Sequence, residues 1–161
     1  MNGSVLPKRS GSRPRTTPTN PHTQLEQNPE RDEVVEELAR RVFALPNVEE
    51  RPSAISVPGA RALWLSEDVP AGPPEAFVIE REFAHIHPMP DGSLHAALPQ
   101  EVAQEAVEKG WAEQHPAARM GRMPQNVVMI YAPRDAEEIE VVAGLVTEAY
   151  RYAGGTTPGS G

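Results

Sequence analysis

The chain has 161 residues, 39% of them hydrophobic, and a formal net charge of −8, values that fit one globular domain with a modest core. It contains no cysteine, which excludes disulfides, thiolate metal sites and a cysteine nucleophile. No apolar run approaches the roughly 20 residues of a membrane span, and we expect a soluble, cytoplasmic protein with no membrane partner.

The first 28 residues differ in charge from the rest of the chain. They contain four basic residues and one glutamate, a net charge of +3, which leaves −11 on residues 29–161. Because an acidic surface repels phosphate backbones, we expect no nucleic-acid partner. The Pro, Ser, Thr and Arg content of residues 1–28, with few apolar side chains, predicts a disordered basic leader.

A first helix is predicted between Asn28 and Pro46. Asn28 is a suitable N-cap, and proline at position 29 fits the first helical turn. Apolar residues then recur at helical spacing, at Val35, Leu38, Val42 and Leu45.

Two hairpins are predicted next. Residues 53–57 and 60–65 flank Pro58-Gly59, a pair that suits a type II turn because glycine takes the positive φ of its second central position. A long strand over residues 76–87 returns through a Pro-Asp-Gly turn into a strand over residues 93–98.

The following segment alternates between regular and irregular patterns. Pro99 begins a second helix, which Gly110 ends at the position after the C-cap. Residues 112–125 show no sustained period and predict irregular structure, whereas residues 126–131 form an apolar run typical of a buried strand.

The final helix is predicted to start at Asp135, which with Glu138 forms a capping-box-like pattern, and a flexible tail is expected over residues 154–161. The whole order predicts a single α+β domain over residues 29–153. It would contain a small antiparallel or mixed sheet with helices mainly on one face.

Three of the five histidines of the chain lie within eleven residues, at His85, His87 and His95. If residues 88–92 form the hairpin loop, His85 pairs with His95 and all three side chains share one face, with paired Cα atoms about 5 Å apart. Neutral imidazoles in this arrangement suit a divalent transition metal such as Zn, Fe, Ni or Cu. The alternative is that the histidines hydrogen-bond to one another and to the turn without metal.

Other side chains extend the candidate ligand-binding site. Asp91 is a further ligand or a proton-transfer partner, and Glu82 is a second candidate for proton transfer. Ser93 lies beside His87, but the glycine pattern of a nucleophile elbow is absent. His115 joins the site only if its segment folds over the hairpin. No P-loop or Gly-x-Gly-x-x-Gly motif supports a nucleotide or flavin cofactor.

The run Phe83-Ala-His-Ile-His-Pro-x-x-Asp-Gly-Ser-Leu-His95 resembles a family of small bacterial and fungal proteins described as luciferase-like domains. Gly110-Trp111, His115-Pro116 and the terminal Glu148-Ala-Tyr-Arg-Tyr152 agree with that family in order and spacing. The resemblance spans roughly residues 30–153. It implies a shared fold and assigns no catalytic residue. The composition, rich in Arg, Ala, Pro and Glu with two lysines, predicts a high-GC bacterial source.

Three functions follow from these patterns, and they leave open whether the protein is an enzyme. The first hypothesis is a small-ligand-binding or accessory module that uses the histidine-bearing hairpin. The second is a metal-dependent hydrolase or oxygenase with His85, His87 and His95 as ligands. The third is a protein-interaction module.

Overall fold

A six-stranded antiparallel sheet with helices forms the fold of residues 6–156, the part of the chain that the computed structural model describes. The helices and strands are, in chain order, α1 (Asp32–Phe43), β1 (Val48–Pro52), β2 (Arg61–Leu65), β3 (Glu82–Ile86), β4 (Leu94–Ala97), α2 (Gln100–Glu108), β5 (Ala112–Gln114), α3 (Pro116–Arg119), β6 (Val127–Ile130) and α4 (Ala136–Ala153). A 3₁₀ turn, Pro74–Ala76, lies between β2 and β3.

The strands follow the order β1-β2-β3-β4-β6-β5, and every neighbouring pair is antiparallel. The predicted α+β class is therefore confirmed, with the antiparallel form of the sheet. Strands β3 and β4 occupy the middle, so side chains on their two faces are the best shielded from solvent.

One face of the sheet carries the hydrophobic core. Leu63, Ile86, Leu94 and Ile130 are buried in one cluster with the apolar sides of α1 and α4. These two helices contact each other, and α4 also contacts β3 and β4. Because strand side chains alternate, the neighbours of these residues point to the opposite face, where the polar site is built.

Helix α1 begins at Asp32, later than predicted. The side-chain amide of Asn28 donates to the carbonyl oxygens of Gln24 and Asp91, both at 3.0 Å. It therefore ties the N-terminal segment to the turn after β3, and Arg31 is the N-cap without a side-chain hydrogen bond.

The first hairpin is correct, but its first strand lies five residues earlier than predicted. Residues 53–57 belong to the loop because Ser53 Oγ and the Ala54 amide donate to the Glu82 carboxylate, at 2.8 and 3.0 Å. Gly59 has a φ of +91°, as the predicted type II turn requires.

Two further predictions are corrected. The strand predicted over residues 76–87 is regular only in β3, because a tight turn with Glu80 at a φ of +50° precedes it. Residues 112–125 are not irregular throughout, since β5 pairs with β6 and α3 follows it. A three-residue strand and a one-turn helix are too short to show a period in sequence.

The ends of the two longer C-terminal helices match the sequence signals. Gly110 follows the C-cap of α2 with a φ of +88°. The Asp135 side chain accepts from the Glu138 amide at 2.9 Å at the start of α4. The buried strand β6 also lies inside its predicted range.

The disorder expected over residues 1–28 is corrected for residues 6–28, which pack against the domain. Thr16 and Gln24 form a β-bridge within this segment, and the Gln24 side chain accepts from the Ala132 amide at 2.9 Å. Leu6 packs against the core, but most of the contacts that hold the segment are polar, which explains why its composition did not predict order.

The expected flexible tail is described only in part. Thr156 accepts a hydrogen bond from the Tyr150 hydroxyl at 3.0 Å, and the Gly155 amide donates to the Tyr150 carbonyl oxygen at 2.9 Å. Residues 157–161 lie outside the described residues.

Among residues 6–156, none of the helices is long and apolar enough to cross a bilayer. The cytoplasmic location stays a prediction.

Candidate functional site

The second hairpin brings its three histidines together as its predicted register requires. His85 pairs with His95 across β3 and β4, and the His87 amide donates to the Ser93 carbonyl oxygen at 2.8 Å. No bulge interrupts this pair of strands, so the three imidazoles share the face opposite the hydrophobic core.

All five histidines of the chain meet on this face. His95 is central, with ring centroids 5.2 Å from His85, 4.7 Å from His87, 5.1 Å from His22 and 4.6 Å from His115. Each of them is buried, with at most 7% of the residue exposed. The segment after β5 thus places His115 beside the hairpin, which was only conditional in the sequence, and His22 arrives from the N-terminal segment.

A line of hydrogen bonds joins two carboxylates through three of these rings. Glu82 Oε2 lies 2.7 Å from His85 Nδ1, and His85 Nε2 lies 3.1 Å from His95 Nδ1. His95 Nε2 lies 2.9 Å from His22 Nδ1, and His22 Nε2 lies 2.7 Å from Glu113 Oε2. Both ends of the line are therefore anchored by acceptors.

The anchors fix the tautomers of the outer rings. Because a carboxylate accepts, His85 must donate its Nδ1–H to Glu82, and His22 must donate its Nε2–H to Glu113. The neutral ring of His85 then has a lone pair at Nε2, and that of His22 has one at Nδ1. His95 can donate its Nε2–H to His22, which leaves a lone pair at His95 Nδ1.

His87 is oriented separately, through Ser93 and Asp91. The Ser93 hydroxyl donates to Asp91 Oδ1 at 2.5 Å and lies 2.9 Å from His87 Nδ1. Since that hydroxyl hydrogen is engaged, His87 must donate its Nδ1–H and retain a lone pair at Nε2. Ser93 is thus an orienting group here, and its proton is directed to Asp91 rather than to a histidine base.

His115 has the opposite tautomer. It is the N-cap of α3, and its Nδ1 accepts from the Ala117 amide at 2.9 Å. The neutral ring therefore carries its proton at Nε2 and can only donate there. Burial, followed by the nearby His22, lowers the pKa of His115 to about 4.

The environment keeps two of the hairpin histidines, His87 and His95, neutral. Burial lowers the pKa of His87 to about 3, with further depression from the neighbouring histidines, of which His85 contributes most. Burial and the same neighbours lower the pKa of His95 well below its ordinary value. Burial raises the pKa of Asp91, although Ser93 opposes this through its hydrogen bonds. Neutral imidazole is the form that binds metal ions.

Two sets of three histidines within residues 6–156 have nitrogen atoms close enough to share one ion, and both contain His95. In each set, the three ligand atoms lie within 4.8 Å of one another. His85, His87 and His95 offer three lone pairs, because their other ring nitrogens are all able to donate outward. The set with His22 and His115 is chemically poorer, since the Nε2 of His115 carries the proton.

A cavity of about 470 Å³ opens onto the histidines. Its walls include apolar side chains such as Ile55, Val57, Val78 and Met123, and no lysine or arginine is among its lining residues. The volume is in the range of small-molecule sites.

Sequence reasoning missed two members of this site. His22 lies 73 residues from His95 along the chain, and Glu113 sits in a segment that was predicted to be irregular. Glu82 was recognised, but as a proton-transfer candidate rather than as the group that orients His85. No local pattern pointed to either residue, because β5 is too short to show alternation and His22 lies outside the predicted helices and strands.

Comparisons with known proteins agree with the family resemblance. Residues 80–149, which include four of the five histidines, match the luciferase domain. Luciferases of Armillaria gallica and Armillaria mellea are 33% identical to this chain, and a luciferase of Neonothopanus nambi is 30% identical. Each match covers 91% of this chain and 60% of the relative, so the chain spans about three fifths of the length of these fungal proteins. No solved structure matches the chain significantly.

Proposed function

This chain belongs to the luciferase-like domain family, and on that premise we propose that it is a metal-dependent oxygenase of a small organic molecule. His85, His87 and His95 would hold one divalent transition metal at the floor of the cavity. The bacterial source stays a prediction, since the relatives named above are fungal.

One observation carries the proposal. His85 Nε2 and His95 Nδ1 lie 3.1 Å apart, and the outward hydrogen bonds leave a lone pair on each. Two lone pairs at this distance repel unless a cation lies between them. Two nitrogen ligands of a tetrahedral ion, with metal–nitrogen distances of about 2.0–2.1 Å, lie about 3.3 Å apart. The separation is therefore close to that of ligands on one metal.

The surroundings of the three rings also support a metal centre. Histidines that bind metals usually donate their second ring nitrogen to a carboxylate, a carbonyl group or another acceptor. Here His85 donates to Glu82, and His87 donates to a Ser93 hydroxyl that is held by Asp91. Such contacts orient the rings before an ion binds, which lowers the entropic cost of binding.

The relatives favour oxidation over hydrolysis, whereas the ligand set suits either reaction. Three protein ligands leave further positions for an exchangeable group. The name luciferase denotes oxidation of a small molecule with light emission, and the fungal relatives bear this name. Both oxygen atoms of O₂ would be added to the substrate, so the reaction needs no separate reductant. Bound metal would supply the Lewis acidity and redox chemistry of the site.

The metal content of protein purified without a histidine tag tests this proposal. We expect close to one equivalent of Fe, Ni or Cu in the parent and a loss of this metal in a folded His85→Ala/His87→Ala double variant. Bound Zn, which has no redox chemistry, would support the metal site but contradict the oxygenase. A His115→Gln variant is the matched control and should keep the metal, because His115 offers no lone pair to it. Parent protein that neither contains nor takes up any of the four metals would contradict the proposal.

A second candidate is a metal-free small-ligand-binding module, which one observation favours. Four contacts join Glu82 to Glu113 and need four protons, but three neutral rings supply only three. One additional proton on these rings would complete the line of hydrogen bonds, and it would take the place of the metal between His85 and His95. Metal analysis separates the two candidates. The protein-interaction hypothesis stays a prediction.

A further inference from the structure

The N-terminal arm, residues 6–28, supplies a buried side chain to the histidine cluster. We propose that His22 is a positioning residue that turns the Nδ1 lone pair of His95 toward the metal. This inference rests on the proposed function, because it concerns a ligand of the same metal centre. His22 was not among the residues that the sequence indicated, and we do not assign it as a ligand of the metal.

The contacts of His22 are specific on both ring nitrogens. Its Nδ1 lies 2.9 Å from His95 Nε2, and its Nε2 lies 2.7 Å from Glu113 Oε2. Its side chain is completely buried. A ring held at both nitrogens cannot rotate freely, so it fixes the plane of the His95 ring next to it.

Glu113 is well suited to fix the tautomer of His22. Its carboxylate also accepts from Thr16 Oγ1 at 2.7 Å and from the Tyr131 hydroxyl at 2.8 Å. Since all three partners donate, the carboxylate presents only an acceptor to His22. The proton of His22 therefore sits at Nε2, and its Nδ1 must accept from His95.

The consequence reaches the metal through His95. If His95 donates its Nε2–H to His22, its neutral ring has no proton at Nδ1, the atom that faces His85 Nε2. Without the acceptor on His22, the neutral ring of His95 can instead carry its proton at Nδ1, and this nitrogen then cannot bind the metal. The arm thus selects the tautomer that binds metal.

The arm is held in place by contacts that do not involve the histidines. The Gln24 side chain accepts from the Ala132 amide, and the Thr17 amide donates to the Thr23 carbonyl oxygen at 3.0 Å. These contacts flank His22 on the arm. Positioning by His22 can therefore be separated experimentally from docking of the arm.

The test measures the affinity of the full chain for Zn²⁺ and Co²⁺, by competition with a chromophoric chelator. His22→Phe keeps a ring but removes the acceptor, and it should weaken metal binding about 10- to 100-fold, as is typical of groups that orient ligands. His22→Asn places an oxygen near the position of Nδ1 and should recover part of this loss. Leu25→Ala, at a half-exposed position of the same arm, should bind as the parent does.

Two readouts separate positioning from a purely structural role. The visible spectrum of bound Co²⁺ should change in His22→Phe and return toward that of the parent in His22→Asn. Gln24→Ala loosens the arm without touching a histidine, so it should lower the stability of the metal-free protein more than it alters the Co²⁺ spectrum. If His22→Phe does not fold, Glu113→Gln provides the affinity comparison, because it no longer fixes the proton of His22 at Nε2.

The outcomes are distinguishable. Stoichiometric metal in the parent with an affinity in His22→Phe, or in Glu113→Gln as its substitute, within twofold of the parent would overturn the positioning role and leave the proposed function intact. A parent that binds neither of these ions and also none of Fe, Ni and Cu would overturn both. A loss of affinity in His22→Phe without recovery in His22→Asn and without a spectral change would assign His22 a structural role only, and would also overturn the inference.

Discussion

The replacement Glu82→Gln tests whether a buried carboxylate organises the site. Glu82 is fully buried, and it accepts from three donors, Ser53 Oγ, the Ala54 amide and His85 Nδ1. The glutamine side chain has nearly the same shape but one acceptor and one donor group. Whichever way its amide is oriented, at least one original donor faces an NH₂ group.

The magnitude follows from these three contacts. Hydrogen bonds to a charged group contribute about 1.5–3 kcal/mol and neutral ones about 0.5–1.5 kcal/mol, so each contact loses about 1 kcal/mol, and one buried donor loses its partner. Allowing for relaxation, we expect the free energy of unfolding to fall by about 2–4 kcal/mol. If the amide donates to His85 Nδ1, the ring proton moves to Nε2. The metal affinity then also falls, by about 10- to 100-fold.

Urea unfolding of the metal-free protein and a Zn²⁺ titration provide the two measurements. Glu37→Gln is the control, because Glu37 pairs on the surface and its loss should change the stability by less than about 1 kcal/mol. A Glu82→Gln protein that loses less than about 1 kcal/mol and binds Zn²⁺ as the parent does would refute the assigned role of the carboxylate.

Three further predictions concern stability. His87 and His115, with pKa values of about 3 and about 4, stay neutral in the folded metal-free protein, whereas the same residues in the unfolded chain take up protons below about pH 6.5. The free energy of unfolding should therefore be highest above pH 6.5 and fall toward pH 4, by up to about 1.4 kcal/mol per pH unit for each histidine. Urea unfolding with a flat profile over this range would contradict this. Gly92→Ala should destabilise the protein by about 1–3 kcal/mol in the same urea assay, because Gly92 has a φ of +73° and a Cβ atom there would lie 2.9 Å from Pro29 Cγ. An unchanged urea midpoint would show that the turn can relax. Asp135→Ala should cost about 1 kcal/mol by loss of the N-cap of α4, whereas Asp135→Asn should cost clearly less, and equal losses in thermal unfolding would rule out capping as the cause.

Local sequence signals predicted the parts of the fold that depend on neighbouring residues. Helix α4 starts at its capping residue Asp135, α2 ends before Gly110, and the turn at Gly59 has the expected positive φ. The register of β3 and β4 is the one expected if residues 88–92 form the loop, because loop length determines which residues pair.

Predictions failed where a side chain makes a contact far along the chain. Asn28 did not cap α1 because its amide reaches Asp91, and residues 53–57 did not form a strand because Ser53 and Ala54 bond to Glu82. In each case the local pattern was sound, but a tertiary hydrogen bond competed with it.

The sequence by itself determined the antiparallel pairing that places three histidines on one face, since alternation and turn length are local properties of a hairpin. Only the tertiary structure decided the remainder of the site. It brought His22 and Glu113 to His95, placed His115 at the start of α3 with its proton at Nε2, and buried Glu82 beneath His85. The tautomer of an imidazole depends on what its two nitrogens contact, and those partners come from segments whose approach no local pattern records.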